Sequence, residues 1–131
     1  MDVWQDPTYV NWSWGGIETG SLFNPWNTIF EGLDAALVVC GHTHMQFDRT
    51  IGRTRVLNAG SVGMPFEEPG AYWLLLGPDV ALRRTTYDLE KAAERIRATK
   101  YPQAEDFAAR NVLQPPSADA TLEAFTRFEL K

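Results

Sequence analysis

Residues 35–47 read AALVVCGHTHMQF, and this stretch decides the fold. Ala35 to Cys40 are six consecutive apolar residues, a run of strand length whose lack of alternation predicts a strand covered on both faces, inside a sheet. Gly41 ends the run, and the chain's only two histidines follow, His42 and His44, with Thr43 between them. In an extended backbone, positions i and i+2 share a side, so both imidazoles are expected to converge on one point. Gly41, lacking a Cβ, is expected to provide the sharp exit and the close approach to a ligand. Ligands of open α/β sheets gather beyond the carboxyl ends of strands, and neutral imidazole is a common transition-metal ligand. A metal-binding loop is the sharper reading, set against two ordinary turn histidines hydrogen-bonded near a strand end.

Downstream, Gln46 to Thr50 and Arg53 to Leu57 read as two strands joined around Ile51-Gly52, a hairpin signal. Arg49, Arg53 and Arg55 on this hairpin face solvent or a phosphate-bearing substrate, solvent being the commoner fate of such charges. Asn58 to Pro65, NAGSVGMP, is a loop of turn formers whose glycines admit backbone N–H groups to an anion. Ala71 to Leu76 forms a second apolar strand, Gly77-Pro78-Asp79 turns the chain, and Val80 to Tyr87 returns antiparallel. The expected sheet is mostly antiparallel, beside one buried strand.

The pattern Gly41-His42-Thr43-His44 resembles the carboxyl-terminal metal motif of the calcineurin-like metallophosphoesterases, in their bacterial and archaeal phosphodiesterase-like branch. There the motif is followed by a hairpin, an Asn-Pro-Gly-Ser segment, a second hairpin and a Tyr-Asp leading into a helix. Here the corresponding residues are Asn58-Ala59-Gly60-Ser61 and Tyr87-Asp88, and the resemblance spans about Leu33 to Ile96. Ala59 stands where the family usually has proline, a change expected to alter loop stiffness.

The resemblance implies α/β architecture, specifically the carboxyl-terminal half of a two-sheet, four-layer sandwich with flanking carboxyl-terminal helices. It implies metal-dependent phosphoester hydrolysis, with His42 and His44 each supplying a ligand to a different metal of a two-metal centre. Gly41, Thr43, Asn58, Gly60 and Ser61 would lie beside the metals or on the substrate side. The metal would be a divalent transition ion, manganese first, with zinc, iron or nickel as alternatives. The family's amino-terminal Asp-x-His, Gly-Asp, Gly-Asn-His and further histidine do not occur in this sequence. The expectation is therefore a truncated or partial domain, acting with a missing amino-terminal half or as a homo-oligomer. The alternative is a noncatalytic protein-interaction module on a degenerate phosphoesterase scaffold.

The 131 residues begin with an aromatic-rich segment, 1–28; the resemblance implies a partial phosphoesterase domain over 29–100, followed by a helical extension, 101–131. Four of the five tryptophans, Trp4, Trp12, Trp14 and Trp26, lie in the first segment, where neither alternation nor helical period appears. Asn27 to Leu33 is expected to form a short helix. From Asp88, a capping residue, a helix carries Leu89, Ala92, Ala93 and Ile96 inward and stops at Pro102. Ala104 to Leu113 forms a second helix with Phe107, Ala108 and Val112 inward. Ser117 or Asp119 caps a last one, with Leu122, Phe125, Phe128 and Leu130 on its apolar side.

Net charge is −5, with 12 basic and 17 acidic residues, an acidic balance that leaves no nucleic-acid or anionic-membrane footprint. The single cysteine, Cys40, excludes an internal disulfide framework and is expected to pack. With no signal-peptide pattern and no apolar run long enough to span a bilayer, the expected location is the cytoplasm. The sequon Asn11-Trp12-Ser13 is then a chance match.

Overall fold

The computed structural model describes residues 32–129, with side chains through Ala124. The tryptophan-rich segment, the sequon, most of the expected helix at 27–33, and the side chains of Phe125, Phe128 and Leu130 lie outside the described residues. Within them the fold is mixed α/β, with two small sheets followed by helices.

The first sheet contains β1 (Leu37–Cys40), β2 (Gln46–Ile51) and β3 (Thr54–Ala59), in the order β1-β3-β2. Strands β2 and β3 form the expected hairpin, closed by the pair Ile51↔Thr54 around Gly52 and Arg53. Gly52 has φ +60 and Arg53 does not have positive φ, the pattern of a type II′ turn with glycine at its first central position. Strand β1 runs parallel to β3, Val38 opposite Val56 and Cys40 opposite Asn58. Thr54 Oγ1 and Arg55 N extend this seam by donating to the carbonyls of Ala35 and Ala36, each at 2.9 Å.

The buried strand is β3, a correction to the expectation for residues 35–40. Val56 and Leu57 are successive, so they point to opposite faces, and both are fully buried. In β1, Leu37 and Val39 are exposed, at 38% and 45%. The apolar run is thus an edge strand among the described residues, whereas the polar-looking TRVLNA holds the centre. Its polar members are satisfied: Thr54 by Ala35, and Asn58 by the loop after β1.

Strands β4 (Ala71–Leu75) and β5 (Ala81–Thr85) pair antiparallel as a separate two-stranded sheet, so the expected single antiparallel sheet is replaced by two. Two of the contacts that join the sheets constrain the sequence most. Gln46 Nε2 lies 3.1 Å from Ala59 O in its own sheet, and 3.0 and 3.2 Å from Trp73 O and Arg83 O in the other. An amide has two protons, so at least one is shared among these carbonyls. At the second contact, Gly60 adopts φ +79, and a Cβ there would stand 2.7 Å from Tyr72 Cβ and 2.8 Å from Gln46 Cγ. Only glycine meets both demands.

Two of the hairpin arginines, Arg53 and Arg55, are engaged with carboxylates. Arg55 reaches Asp48, its diagonal cross-strand neighbour, through two bonds of 2.9 and 2.6 Å, and holds that carboxyl below the usual carboxylate range. Arg53 lies 3.2 Å from Asp34.

Helix α1 (Leu89–Arg97) begins as expected, with Asp88 Oδ1 accepting from Lys91 N at 3.0 Å. It stops five residues before Pro102, at the Ala98 cap, where Thr99 Oγ1 donates to Ile96 O at 2.7 Å. Helix α2 (Ala104–Phe107) continues directly into a π-helical turn, Ala108–Leu113, in which Gln114 N donates to Ala109 O. Ala104, Ala108 and Val112 form its buried stripe at a spacing of four, against α1. Helix α3 (Ala118–Glu129) starts at Ser117, whose Oγ accepts from Ala120 N at 3.2 Å. No described helix is long and apolar enough to cross a membrane.

Candidate metal centre

The histidine loop is a bend rather than an extended segment. His42 has φ 73 and His44 φ 61, the only non-glycine residues among those described with positive φ. Thr43 N donates to Gly41 O at 2.9 Å, an i→i+2 bond that together with the φ of His42 makes a γ-turn of the rare, strained kind. Gly41 itself has no positive φ, and a Cβ added to it would meet open space. The conformational demand expected at Gly41 therefore falls on the histidines, and left-handed non-glycine residues concentrate at functional sites.

Asn58 holds this turn in place. Fully buried at the end of β3, it donates from Nδ2 to Gly41 O at 2.8 Å and to Thr43 Oγ1 at 2.7 Å. Its Oδ1 accepts from Gly60 N at 2.9 Å. Both amide ends have partners of the right polarity, so the assignment is unambiguous. Asn58 thus ties the histidine loop to the Gly60–Ser61 loop from beneath, as a buried brace. Thr43 is drawn inward and buried, while His42 is exposed and His44 half-buried.

His44 is fixed by the segment after Ser61. Ser61 Oγ accepts from Met64 N at 3.0 Å, shaping a turn that brings the Met64 carbonyl 2.7 Å from His44 Nδ1. A carbonyl only accepts, so Nδ1 carries the proton and Nε2 keeps its lone pair. This is the arrangement in which a metal-ligating histidine is normally held, its second nitrogen donating to a backbone carbonyl. His44 thus has the outer hydrogen bond that a ligating imidazole would need, as one ligand of a larger set. Among the described residues no group of three or more histidine, cysteine, aspartate or glutamate side chains forms a complete site.

Cys40 does not join the loop chemistry. Its thiol donates to Leu57 O at 3.2 Å, and burial pushes it up from the ordinary thiol range despite an opposing hydrogen bond with Asn58. It is a packing residue with little thiolate character.

Glu67, in the segment that closes on the histidine loop, carried no signal in the sequence. Its Oε1 accepts from Gln46 N at 3.1 Å, while Oε2 is buried without a hydrogen-bond partner among the described residues. Burial raises its carboxyl above the usual range, opposed by the Gln46 N–H and the Arg84 charge. A raised acid favours folding only while protonated. Its contribution is present below the unfolded glutamate value of about 4.3 and is lost as pH rises through the folded value. Glu67→Gln is therefore expected to melt higher than wild type at about pH 8 and to lose that advantage by about pH 4. Thermal melts at both pH values check this, and an equal shift at both would contradict it.

Residues 27–77 match the family model of the calcineurin-like phosphoesterase superfamily domain. The matched stretch contains the histidine loop, both β-hairpin strands and β4, the part of the chain that carries the quoted motifs. No curated protein matches the chain.

Proposed function

We propose that this chain contributes the carboxyl-terminal part of a metallophosphoesterase site, in which His42 and His44 serve as metal ligands for phosphoester hydrolysis. The observation that carries this reading is the His44 Nδ1–H···O=C Met64 bond, which leaves Nε2 as the ligating atom. A divalent metal there, manganese first, supplies Lewis-acid charge to a phosphoester and lowers the pKa of water. The chain's own part is to present imidazoles from a braced, strained turn and to shape the loop Asn58–Met64 beside them. A metal takes about four or more ligands, so the remaining ones come from outside residues 32–129. The partial domain is half of a layered sandwich in a cytoplasmic protein, and its open side meets the other half.

The exposed face of β1, with Leu37 and Val39 uncovered, favours a second reading, a noncatalytic module that binds a protein through that face. Assay of the full chain with a generic phosphodiester and manganese separates the two. Metal-dependent turnover that His44→Ala abolishes supports hydrolysis, whereas metal binding without turnover leaves the interaction module.

A further inference from the structure

Three contacts from one short segment close on His44. The Met64 carbonyl takes the Nδ1 proton at 2.7 Å, Phe66 N donates to His44 O at 3.1 Å, and the Phe66 ring stacks on the imidazole at 4.9 Å between centroids and 28° between planes. Pro65, between the two, is fully buried and anchors the segment. The backbone at His44 is left-handed, with φ 61, so no regular element dictates where its ring points. The bond to Met64 selects the tautomer only while the ring keeps its place, since rotation of the imidazole about its Cβ–Cγ bond carries Nδ1 off the carbonyl. A flat surface against the imidazole opposes that rotation.

We propose that Phe66 is a positioning residue for His44, its ring holding the imidazole so that Nδ1 stays on Met64 O and Nε2 faces the metal position. This rests on the metal-ligand reading of His44 and adds to it the residue that orients the ligand. Phe66 is itself half-buried, and its aromatic ring contact among the described residues is with the imidazole.

The test uses the full chain, zinc as the probe, and two readouts. Nitrogen-15 NMR of the metal-free protein at about pH 8, where imidazole is neutral, reports the tautomer of His44. Calorimetry reports zinc affinity. Phe66→Leu and Phe66→Met keep the apolar volume without the ring, a class of change that cores tolerate, and Phe66→Tyr keeps the ring. The leucine and methionine variants are expected to show a mixed tautomer and a zinc affinity lower by about tenfold or more, the usual effect of losing an outer support of a metal ligand. The tyrosine variant is expected to retain both properties. Wild-type tautomer and affinity in either ringless variant would overturn the proposal, as would a tyrosine variant that fails as they do. If wild-type protein binds no zinc, the ligand reading fails, and the tautomer of the metal-free variants still decides the role of Phe66.

Discussion

Asn58→Ala is expected to lower stability by about 3 kcal/mol, the cost of stranding the buried Thr43 hydroxyl, loosening two part-buried backbone groups and emptying a fully buried position. The substitution removes partners from Gly41 O, Thr43 Oγ1 and Gly60 N together. Thr43 Oγ1 is buried, whereas Gly41 is exposed and Gly60 half-buried, so the main cost falls at Thr43 and at the space left by the Asn58 side chain. An unsatisfied buried group costs about 1–3 kcal/mol, and some relaxation of the loops recovers part of the sum. Against a typical total of about 5–15 kcal/mol, this is a large fraction, visible as a Tm lower by about 10 °C. Asn58→Asp separates the two ends of the amide, keeping the acceptor for Gly60 N while placing a carboxylate oxygen against the Gly41 carbonyl. It is expected to destabilise as well, and more at neutral than at acid pH. Denaturant unfolding of the alanine variant within about 1 kcal/mol of wild type would show that the brace is not what holds the histidine turn.

The same brace explains what the sequence did and did not disclose. The hairpin at Gly52, the cap at Asp88 and the stripe Ala108–Val112 were legible because each is a local pattern: a turn residue between strands, a capping carboxylate, an apolar period. The centre of the sheet was not. Hydropathy points to LVVC, yet TRVLNA is the buried strand, because the polar groups of Thr54 and Asn58 are satisfied by residues 17 to 19 positions away. Such pairing leaves no trace in the composition of the strand.

The histidine pair was legible as a candidate ligand set, but its backbone was not. An extended segment hinged at Gly41 is the cheapest local solution, and the fold instead places left-handed φ on His42 and His44. That arrangement needs the tertiary hydrogen bonds of Asn58 to persist. Gln46, Met64, Phe66 and Glu67 carried no signal at all. Their contacts join positions 13 to 37 residues apart, and nothing in a run such as GMPFEE marks a carbonyl aimed at a ring nitrogen.

His44→Ala carries the other large expected effect, and it bears on metal binding rather than on folding. The imidazole is only half-buried, and its removal leaves the Met64 carbonyl beside space that water can enter, so the cost to stability is modest. The cost to binding is not. Supports outside the ligand shell are worth about 10–100-fold in affinity, and loss of a ligand atom itself is expected to exceed that. His42→Ala, from the same strained turn, is expected to act in the same direction.

Calorimetric titration of the full chain with zinc and manganese, wild type beside His44→Ala and His42→Ala, tests this most directly. The account predicts saturable binding by wild type that falls by more than about 100-fold in His44→Ala, with circular dichroism unchanged. Binding that is equal in wild type and both variants would mean that the metal sits elsewhere and that the histidine turn is not its site.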